Sequence, residues 1–527
     1  MLLLRGGTVY DGTGAPGRRA DVLVREDRVV AVGAAPHEFS GEVVDVSDLA
    51  VTPGFINVLS HAWNTMHRDR FAISDLLQGV TTVVFGEAFS VGPADDSVDA
   101  LISATFGADP EIQYTQPSLR EGLTAVAAQG LGPNAASLVG GTNLRLLTSG
   151  HEPRPLSPQE RERACALLRD EMQDGAFGVG TALIYPPATF TDDDELRALC
   201  EVVAAADGIY MSHLRSEGDR LIENIDGLID LSRQTGVRAS VYHLKAVGRD
   251  NWHKMSVAVD RIEAARAEGL PVSANMYPYR AGATALMSAI PPWHHRGGPG
   301  QLAERLADPV RRQRVATDLA DPASDYENLF LACGGGTGIL LLSDVKDVAT
   351  RGRLLAQVAQ DIGMTDAETL VELVRQEPTV GAAFFMMSED NVELGLRQPW
   401  VSIGSDAAAH PPEPPWTAAS PHPRTYGSFA RILGHYVRDR RLFSFAEAVR
   451  RMTSLPAEQL RLRDRGVLVE GAFADIAVLD PTTVADRATF EAPHQLAAGV
   501  QHVLVNGEPV VRDGALTGLA PGRVLCR

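Results

Sequence analysis

Short apolar runs alternate with amphipathic stretches through the middle of the chain. Eight of these runs are rich in β-branched residues and have the length of buried strands: residues 53–59, 81–86, 135–141, 177–183, 209–214, 239–245, 271–279 and 399–406. Helical patterns lie between several of them. Residues 157–160, for example, read Ser-Pro-Gln-Glu, an N-cap followed by a first-turn proline and a capping-box glutamate. This alternation predicts an α/β fold built on a parallel (β/α)8 barrel of the TIM type. A doubly wound open sheet is the alternative fold, but the Gly-rich nucleotide-binding motif that would favour it does not follow the first strand.

The two ends of the chain have a different pattern from the middle. β-rich runs separated by Gly and Asp fill the first fifty residues, and similar runs return after residue 474. A β-rich start and a β-rich end predict one small β-sandwich domain built from residues 1–52 and 466–527. The barrel would then occupy residues 53–465.

One interval within the predicted barrel is too long for an ordinary loop. It runs from Tyr279 to Pro399, opens with two prolines at 291 and 292, and then becomes charged and helical. We therefore expect residues 286–375 to form an inserted lid subdomain over the mouth of the barrel.

Composition narrows the class of protein. The 527 residues are 45% hydrophobic and 22% charged, as in ordinary globular proteins, and the net charge of −19 disfavours nucleic acid and anionic membranes as partners. No apolar run approaches the roughly 20 residues of a membrane span, and the N-terminus turns polar at Arg5, too early for a signal peptide. Four widely spaced cysteines indicate reduced thiols in a cytoplasmic protein. The oligomeric state is left open.

Side chains suited to metal binding end five of the predicted strands. They are His61, Glu87, His213, His243 and Asp406. A single histidine beside an apolar run is usually a packed core or surface residue, but barrel enzymes place their reactive groups at the carboxyl ends of the strands, where these five would share one rim. Two imidazoles with one or two carboxylates suit zinc and leave a position open for water.

Short motifs spread over nearly the whole chain carry a family resemblance. They are Pro53-Gly54-Phe55-Ile56, Gln78-Gly79-Val80-Thr81-Thr82, Ile184-Tyr185-Pro186-Pro187, Ser212-His213-Leu214-Arg215-Ser216-Glu217-Gly218, His243-Leu244-Lys245, Tyr277-Pro278-Tyr279, Gly404-Ser405-Asp406, His422-Pro423-Arg424-Thr425-Tyr426-Gly427 and Met452-Thr453-Ser454-Leu455-Pro456-Ala457. Each motif is weak alone, but in this order the chain resembles the N-acyl-D-amino-acid deacylase (D-aminoacylase) branch of the amidohydrolase superfamily. The resemblance implies a barrel with a small β-domain and an inserted lid.

The resemblance also implies roles for the strand-end residues. His213 and His243 match the two histidines that hold the tight metal ion, and Asp406 matches the aspartate that takes the proton from the attacking water. The family's third ligand is a cysteine in a Gly-Asn-Cys-Gly turn. This chain has a turn one residue shorter, Gly86-Glu87-Ala88-Phe89, so Glu87 is the expected substitute. A second-shell or structural carboxylate is the alternative for Glu87.

The first predicted strand departs from the family pattern. An amidohydrolase strand here ends in Asp-x-His-x-His, whereas this chain has Asn57, Leu59 and His61 at those positions. Leucine cannot bind a metal, so only His61 and Asp406 are expected at a second metal position, too few for tight binding. We therefore expect one zinc ion and a second weak site to be absent. His61 would contact the nucleophilic water or the substrate, or would simply pack.

Substrate contacts follow from the same resemblance. Lys245 and Arg424 match a carboxylate-binding pair, Tyr277 matches a phenol beside them, and Tyr185 matches a residue near the scissile amide. The expected partner is therefore a small molecule with a free carboxylate. A long segment rich in Ala and Pro, 407–421, separates Asp406 from Arg424 and leaves the reach of that arginine open.

Three functions are compatible with the sequence. The first is metal-dependent hydrolysis of the amide bond of N-acyl-D-amino acids, or of close relatives, by an activated water with Asp406 as general base. The second is hydrolysis of a cyclic amide or imide, or of a dipeptide with a D-residue. The third is a non-catalytic binding protein, which the damaged first strand favours and the retained Asp406 opposes.

Overall fold

The computed structural model describes residues 1–34, 39–107, 112–346 and 348–527. Within these ranges, no helix is both long enough and apolar enough to cross a membrane. The chain begins with five short strands: β1 Leu2–Val9, β2 Arg18–Arg25, β3 Arg28–Gly33, β4 Glu42–Asp45 and β5 Ala50–Pro53. β1 lies at the centre of this group, antiparallel to β2 and parallel to β4 and β5.

Parallel strands separated by helices follow. The strands are β6 Phe55–Asn57, β7 Val80–Phe85, β8 Asn134–Ser137, β9 Val139–Gly140, β10 Gly178–Ala182, β11 Ile209–His213, β12 Arg238–Val241 and β13 Val272–Met276. The helices are α1 Ile73–Leu76, α2 Asp96–Phe106, α3 Leu119–Ala127, α4 Gly141–Ser149, α5 Pro158–Gln173, α6 Asp193–Ala205, α7 Leu221–Thr235 and α8 Lys254–Ala267. β6, β7 and β8 pair in one parallel sheet, and β9 to β13 pair in chain order in another. Only Leu138 separates β8 from β9, so the two sheets are nearly continuous. The capping box predicted at Ser157 is present at the start of α5.

A segment with its own core interrupts the parallel strands. It contains β14 Ala281–Ala285, α9 Gly298–Ala307, α10 Pro309–Ala320, α11 Leu329–Ala332, β15 Ile339–Leu341, α12 Leu355–Ile362, α13 Asp366–Gln376 and β16 Gly381–Phe385. The three strands form an antiparallel sheet in the order β14-β16-β15. Leu302, Leu319, Leu370 and Phe384 are among the side chains buried in its apolar cluster.

The chain then returns to the parallel strands. It does so through α14 Glu389–Leu396, β17 Val401–Ile403, α15 Arg424–Arg431, a π-helix at Ile432–Asp439, α16 Phe445–Met452 and α17 Ser454–Leu460. β17 pairs in parallel with β13. On its other side, Ser60 and Ala407 form a parallel bridge, and the Asp406 N–H donates to the Leu59 carbonyl at 2.9 Å. The chain just after β17 therefore lies beside the chain just after β6.

The last four strands rejoin the first five in a nine-stranded sheet. They are β18 Ile476–Leu479, β19 Val500–Val505, β20 Glu508–Arg512 and β21 Ala515–Leu516. The strand order is β21-β20-β19-β18-β5-β1-β2-β3, with β4 on β1. Short 3-10 helices complete the described elements, at Ala62–Asn64, Ala188–Phe190, Arg249–Asn251, Leu286–Ala289, Pro292–His295, Gly335–Gly338 and Trp416–Ala418.

A buried carboxyl in α1 lies beside the last residue of β6. Asp75 in α1 is 2% exposed, and its Oδ1 accepts a 3.4 Å hydrogen bond from the Asn57 amide. Its Oδ2 is buried and has no hydrogen-bond partner among the described residues. Burial raises the pKa of Asp75 to about 7. Between about pH 4 and pH 7 the folded protein therefore holds a proton on Asp75 that the unfolded chain releases.

We expect the Asp75→Asn variant to lose part of the pH dependence of stability. Because the folded pKa of Asp75 is raised, its contribution to the wild-type free energy of unfolding should fall by roughly 4 kcal/mol as pH rises from about 4 to about 7. Asparagine does not titrate, so the difference between variant and wild type should grow by that amount over this window. Denaturant unfolding at several pH values measures it. Asp48→Asn, at a carboxylate 95% exposed, is the control and should track the wild type; parallel curves for all three proteins would contradict the prediction.

Candidate metal centre and active site

Glu87 lies at the centre of the five strand-end residues. It follows β7, and its Oε1 is 3.2 Å from His213 Nδ1 and 2.9 Å from His243 Nε2. Its Oε2 is 3.1 Å from His61 Nε2, which in turn is 3.2 Å from Asp406 Oδ1. Parallel strands bring their carboxyl ends to one edge, which is why residues so distant in sequence meet here.

Unusual backbone conformations aim three of these side chains inward. Gly86 has φ of 114°, and a Cβ at this position would lie 2.5 Å from the Leu138 carbonyl oxygen, so the turn before Glu87 requires glycine. His243 and Asp406 have φ of 35° and 51°, a region that ordinary residues occupy at a cost of about 1–3 kcal/mol. The Asn275 side chain accepts from the His243 N–H at 2.9 Å and helps to hold that turn.

Glu87, His213 and His243 have the donor set and spacing of a zinc site. Their ligand atoms all lie within 4.8 Å of one another, and all three residues are buried. Ligands about 2.0–2.1 Å from a tetrahedral zinc lie roughly 3.3 Å apart, close to the 3.2 and 2.9 Å that separate Glu87 Oε1 from the two imidazoles. One anionic oxygen with two imidazole nitrogens therefore fits zinc, and the carboxylate lies where the sequence predicted it.

A second group of possible ligands shares Glu87 with the first. It consists of His61, Glu87 and Asp406. The sequence argument counted only two protein ligands at this position, and the structure corrects that count because Glu87 presents Oε2 to His61 while Oε1 faces the other histidines. Burial alone would lower the pKa of His61, but hydrogen bonds to Asp406 and Glu87 raise it to about 9.

The two first-strand residues that depart from the Asp-x-His-x-His pattern make other contacts. The Asn57 side chain donates to Ser405 Oγ at 2.8 Å and accepts from the Ser405 N–H at 2.9 Å. Leu59 is 2% exposed and packs on Gly404, where a Cβ would lie 2.8 Å from the leucine Cβ. Asn57 and Leu59 thus join the first and last parallel strands.

Arg424 reaches the site despite the long segment before it. One guanidinium nitrogen donates to Asp406 Oδ2 at 2.6 Å, and the other donates to the Ala283 carbonyl at 3.1 Å. The guanidinium carbon is 4.7 Å from the centre of the Tyr277 ring. Burial raises the pKa of Asp406, but the charge of Arg424 and the neighbouring histidines together outweigh burial, and the pKa lies below its ordinary value.

Lys245 is the second cation at the site, and it is paired with a residue that the sequence argument gave no role. Its Nζ is 2.6 Å from Glu217 Oε1 and 2.7 Å from His243 Nδ1. Glu217 is 2% exposed. It lies in the Ser212–Gly218 motif, four residues after His213, and an acid so near a candidate metal ligand was the signal available in the sequence. Burial raises the pKa of Glu217, but the Lys245 ammonium and the two neighbouring histidines together bring it well below its ordinary value.

The two predicted tyrosines lie on either side of the histidines. The Tyr185 ring is 5.4 Å from the His213 ring, at an angle of 69°. The Tyr277 hydroxyl is buried and, in the part of the chain that the structure describes, has no hydrogen-bond partner. An unpaired phenol aimed into a cavity can donate to an incoming oxygen atom.

All nine predicted site residues line one cavity of about 1150 Å³. Residues from the inserted segment form part of its wall, including Thr284, Met287, Leu342 and Phe384. A mixed apolar and polar cavity of this kind, with converging titratable groups, is typical of a small-molecule site.

Comparison with known proteins identifies the protein family to which these features belong. Residues 353–511 match the amidohydrolase family model. The mixed α/β fold and the metal-type side chains at its strand ends agree with this match. Two deacylase relatives that are 35% and 33% identical over 100% of this chain show that the protein is an amidohydrolase, an enzyme that hydrolyses carbon–nitrogen amide bonds.

Relatives that match the whole chain identify its family within the amidohydrolases. D-aminoacylase of Alcaligenes xylosoxydans xylosoxydans is 35% identical over 100% of this chain and 97% of its own length. A crystal structure of D-aminoacylase superposes with a TM-score of 0.82 at 33% identity, covering 100% of this chain and 99% of the other. N-acyl-D-glutamate deacylase from Bordetella bronchiseptica, solved with zinc and a phosphonate inhibitor, gives a TM-score of 0.81 at 30% identity over 100% and 99% of the two chains. The chain belongs to the N-acyl-D-amino-acid deacylase (D-aminoacylase) family, which confirms the resemblance.

Proposed function

We propose that this enzyme hydrolyses the amide bond of N-acyl-D-amino acids, with zinc held by Glu87, His213 and His243. The convergence of these three ligand atoms beside the Asp406 carboxylate is the observation that carries the proposal. The relatives support it, since they are deacylases of this substrate class by name.

A metal ion at this site would supply a Lewis acid that activates water and polarises the amide carbonyl. The protein's own part is to hold and move a proton. Asp406 Oδ1 lies 3.2 Å from His61 Nε2 at the edge of the metal group, so its carboxylate can take a proton from the attacking water and return it to the leaving nitrogen. His61 orients that carboxylate. Tyr185, beside His213, is placed to donate to the oxygen that gains negative charge.

The substrate carboxylate would bind between Lys245, Arg424 and the Tyr277 phenol. Both cations are paired with carboxylates in the structure, Lys245 with Glu217 and Arg424 with Asp406. An incoming carboxylate therefore competes for partners that are already desolvated, and such charge-assisted contacts are strong. The Tyr277 hydroxyl adds a donor with no other described partner.

We propose one tightly held ion per chain. Both groups of possible ligands depend on Glu87, so a second ion would share its carboxylate with the first and would add only His61 and Asp406. Elemental analysis of the purified protein should give about one zinc. A metal-free protein that binds substrate without turnover would instead favour the non-catalytic function.

For the architecture, we propose a closed (β/α)8 barrel over residues 53–465, with a lid at 286–375 and a β-sandwich from 1–52 and 466–527. The bridge between Ser60 and Ala407 supports closure, because it brings β17 beside β6.

Turnover of a matched panel tests the function. N-acetyl-D-amino acids should be hydrolysed, and their L-enantiomers, cyclic imides and D-residue dipeptides should react far more slowly. Preferred turnover of a cyclic imide would replace the proposal with the alternative hydrolase. No turnover of any panel member by zinc-loaded protein would leave only the binding function.

Arg424→Met should discriminate between substrates with and without a free carboxylate. We expect its kcat/KM to fall roughly 10- to 100-fold further for an N-acetyl-D-amino acid than for the corresponding primary amide, because only the acid loses an ion pair. Comparing the ratio of the two substrates cancels any effect through Asp406. Arg220→Met is the control: Arg220 lines the cavity but is exposed and paired with Asp325. Equal losses on both substrates would contradict a carboxylate-binding role.

A further inference from the structure

Glu217 lies behind both histidines of the proposed zinc site. Its Oε1 is 3.2 Å from His243 Nδ1, and its Oε2 is 3.4 Å from His213 Nε2. Neither contact has hydrogen-bond geometry as it stands, and His213 Nε2 makes no hydrogen bond with any described residue. One buried carboxylate therefore faces an outer nitrogen on each imidazole.

The nitrogens that face Glu217 are not those that face Glu87. Glu87 Oε1 contacts Nδ1 of His213 and Nε2 of His243, whereas Glu217 faces the opposite nitrogen of each ring. A neutral imidazole that gives its lone pair to a metal from one nitrogen carries its proton on the other. Both protonated nitrogens would then lie within 3.4 Å of Glu217, which can only accept.

Lys245 competes with Glu217 for His243. Its Nζ lies 2.7 Å from His243 Nδ1, and because an ammonium only donates, Nδ1 accepts in this contact. A metal on Nε2 requires hydrogen on Nδ1, so Lys245 would have to give up this contact, and of these two neighbours only Glu217 can accept that hydrogen. Lys245 can still donate to Glu217 Oε1, at 2.6 Å, and so balance the charge of the buried carboxylate.

The backbone of Glu217 is held on both sides. Its N–H donates to Glu327 Oε1 at 3.1 Å, and its carbonyl accepts from the Val247 N–H at 2.8 Å. Glu327 belongs to the inserted segment and also accepts from Ser216 Oγ at 2.7 Å. The carboxylate therefore has little freedom to move away from the histidines.

We propose that Glu217 is a positioning residue that orients both metal histidines and selects the tautomer in which each can bind zinc. The inference rests on the proposed zinc site but not on the identity of the substrate. Partners of this kind typically contribute 10- to 100-fold to metal affinity.

Zinc affinity of the Glu217→Gln variant tests this directly. The metal-free full-length protein is titrated with zinc against a chromophoric chelator, and we expect the dissociation constant to rise 10- to 100-fold. The cobalt-substituted variant should show a changed visible absorption spectrum, because the rings are no longer held in place. Asp219→Asn is the matched control: it removes one acid two residues away that lines the same cavity and accepts from Asn251. It should bind zinc as the wild type does.

An affinity within twofold of the wild type in Glu217→Gln would overturn the inference, as would an equal loss in Asp219→Asn. If Glu217→Gln leaves Lys245 unpaired and fails to fold, the double variant with Lys245→Met removes the buried pair together, and the same titration applies. Wild-type protein that binds zinc but hydrolyses no N-acyl-D-amino acid would refute the proposed function and leave the role of Glu217 intact.

Discussion

Replacing His213 or His243 with alanine is expected to remove zinc and turnover together. Each histidine supplies one of three ligand atoms in the buried group with Glu87, and two remaining ligands hold zinc poorly. The metal supplies several kcal/mol of transition-state stabilisation, so kcat/KM should fall on the order of 1,000-fold or more. The drop in zinc content should match the drop in activity across preparations.

Zinc content by elemental analysis and kcat/KM on one N-acetyl-D-amino acid measure this effect. His151→Ala is the control, since His151 lines the same cavity and, in the described part of the chain, belongs to neither group of possible ligands. It should keep its zinc. Retained zinc and turnover in both His213→Ala and His243→Ala would refute the metal assignment.

Asp406→Asn is expected to separate metal binding from catalysis. Asp406 is not one of the three residues of the proposed zinc site, so the variant should keep about one zinc per chain. Asparagine cannot accept the proton from the attacking water, and kcat should fall about 100- to 10,000-fold. Because the Arg424 guanidinium keeps its contact with Ala283, KM should change much less than kcat.

Steady-state kinetics with zinc analysis on the same sample tests this separation. Asp325→Asn removes an exposed carboxylate that lines the cavity, and it should behave as the wild type. Loss of zinc from Asp406→Asn would assign Asp406 to metal binding, and unchanged kcat would exclude it as the proton acceptor.

Strand periodicity and the residue at each strand end could be predicted from local sequence. His213 and His243 terminate apolar runs that become β11 and the turn after β12, and both lie beside Glu87. This proximity could be predicted because parallel strands bring their carboxyl ends to one edge whatever the loops do. That Glu87 takes the place of the family's cysteine as a ligand stays a prediction, based on the anionic charge that both side chains offer to zinc.

Pairings between distant loops could not be predicted in the same way. The reach of Arg424 was left open because residues 407–421 intervene, yet the guanidinium contacts Asp406 at 2.6 Å. Glu87 contacts histidines with both of its carboxylate oxygens, and Glu217 lies behind two of those histidines. Both arrangements depend on the directions of the side chains in the folded site. Neither direction is encoded in spacing along the chain.

The sequence by itself determined the family, the alternation of strands and helices, and which residues end the strands. It did so because burial imposes a period on apolar residues and metals restrict the choice of ligands. Only the tertiary structure decided how those residues share partners: Glu87 lies between three histidines, Glu217 lies behind two of them, and Lys245 and Arg424 are each paired with a carboxylate. These shared contacts depend on distances of about 3 Å between side chains on separate loops. Such distances are set when the loops pack together, and no single segment of the sequence determines them.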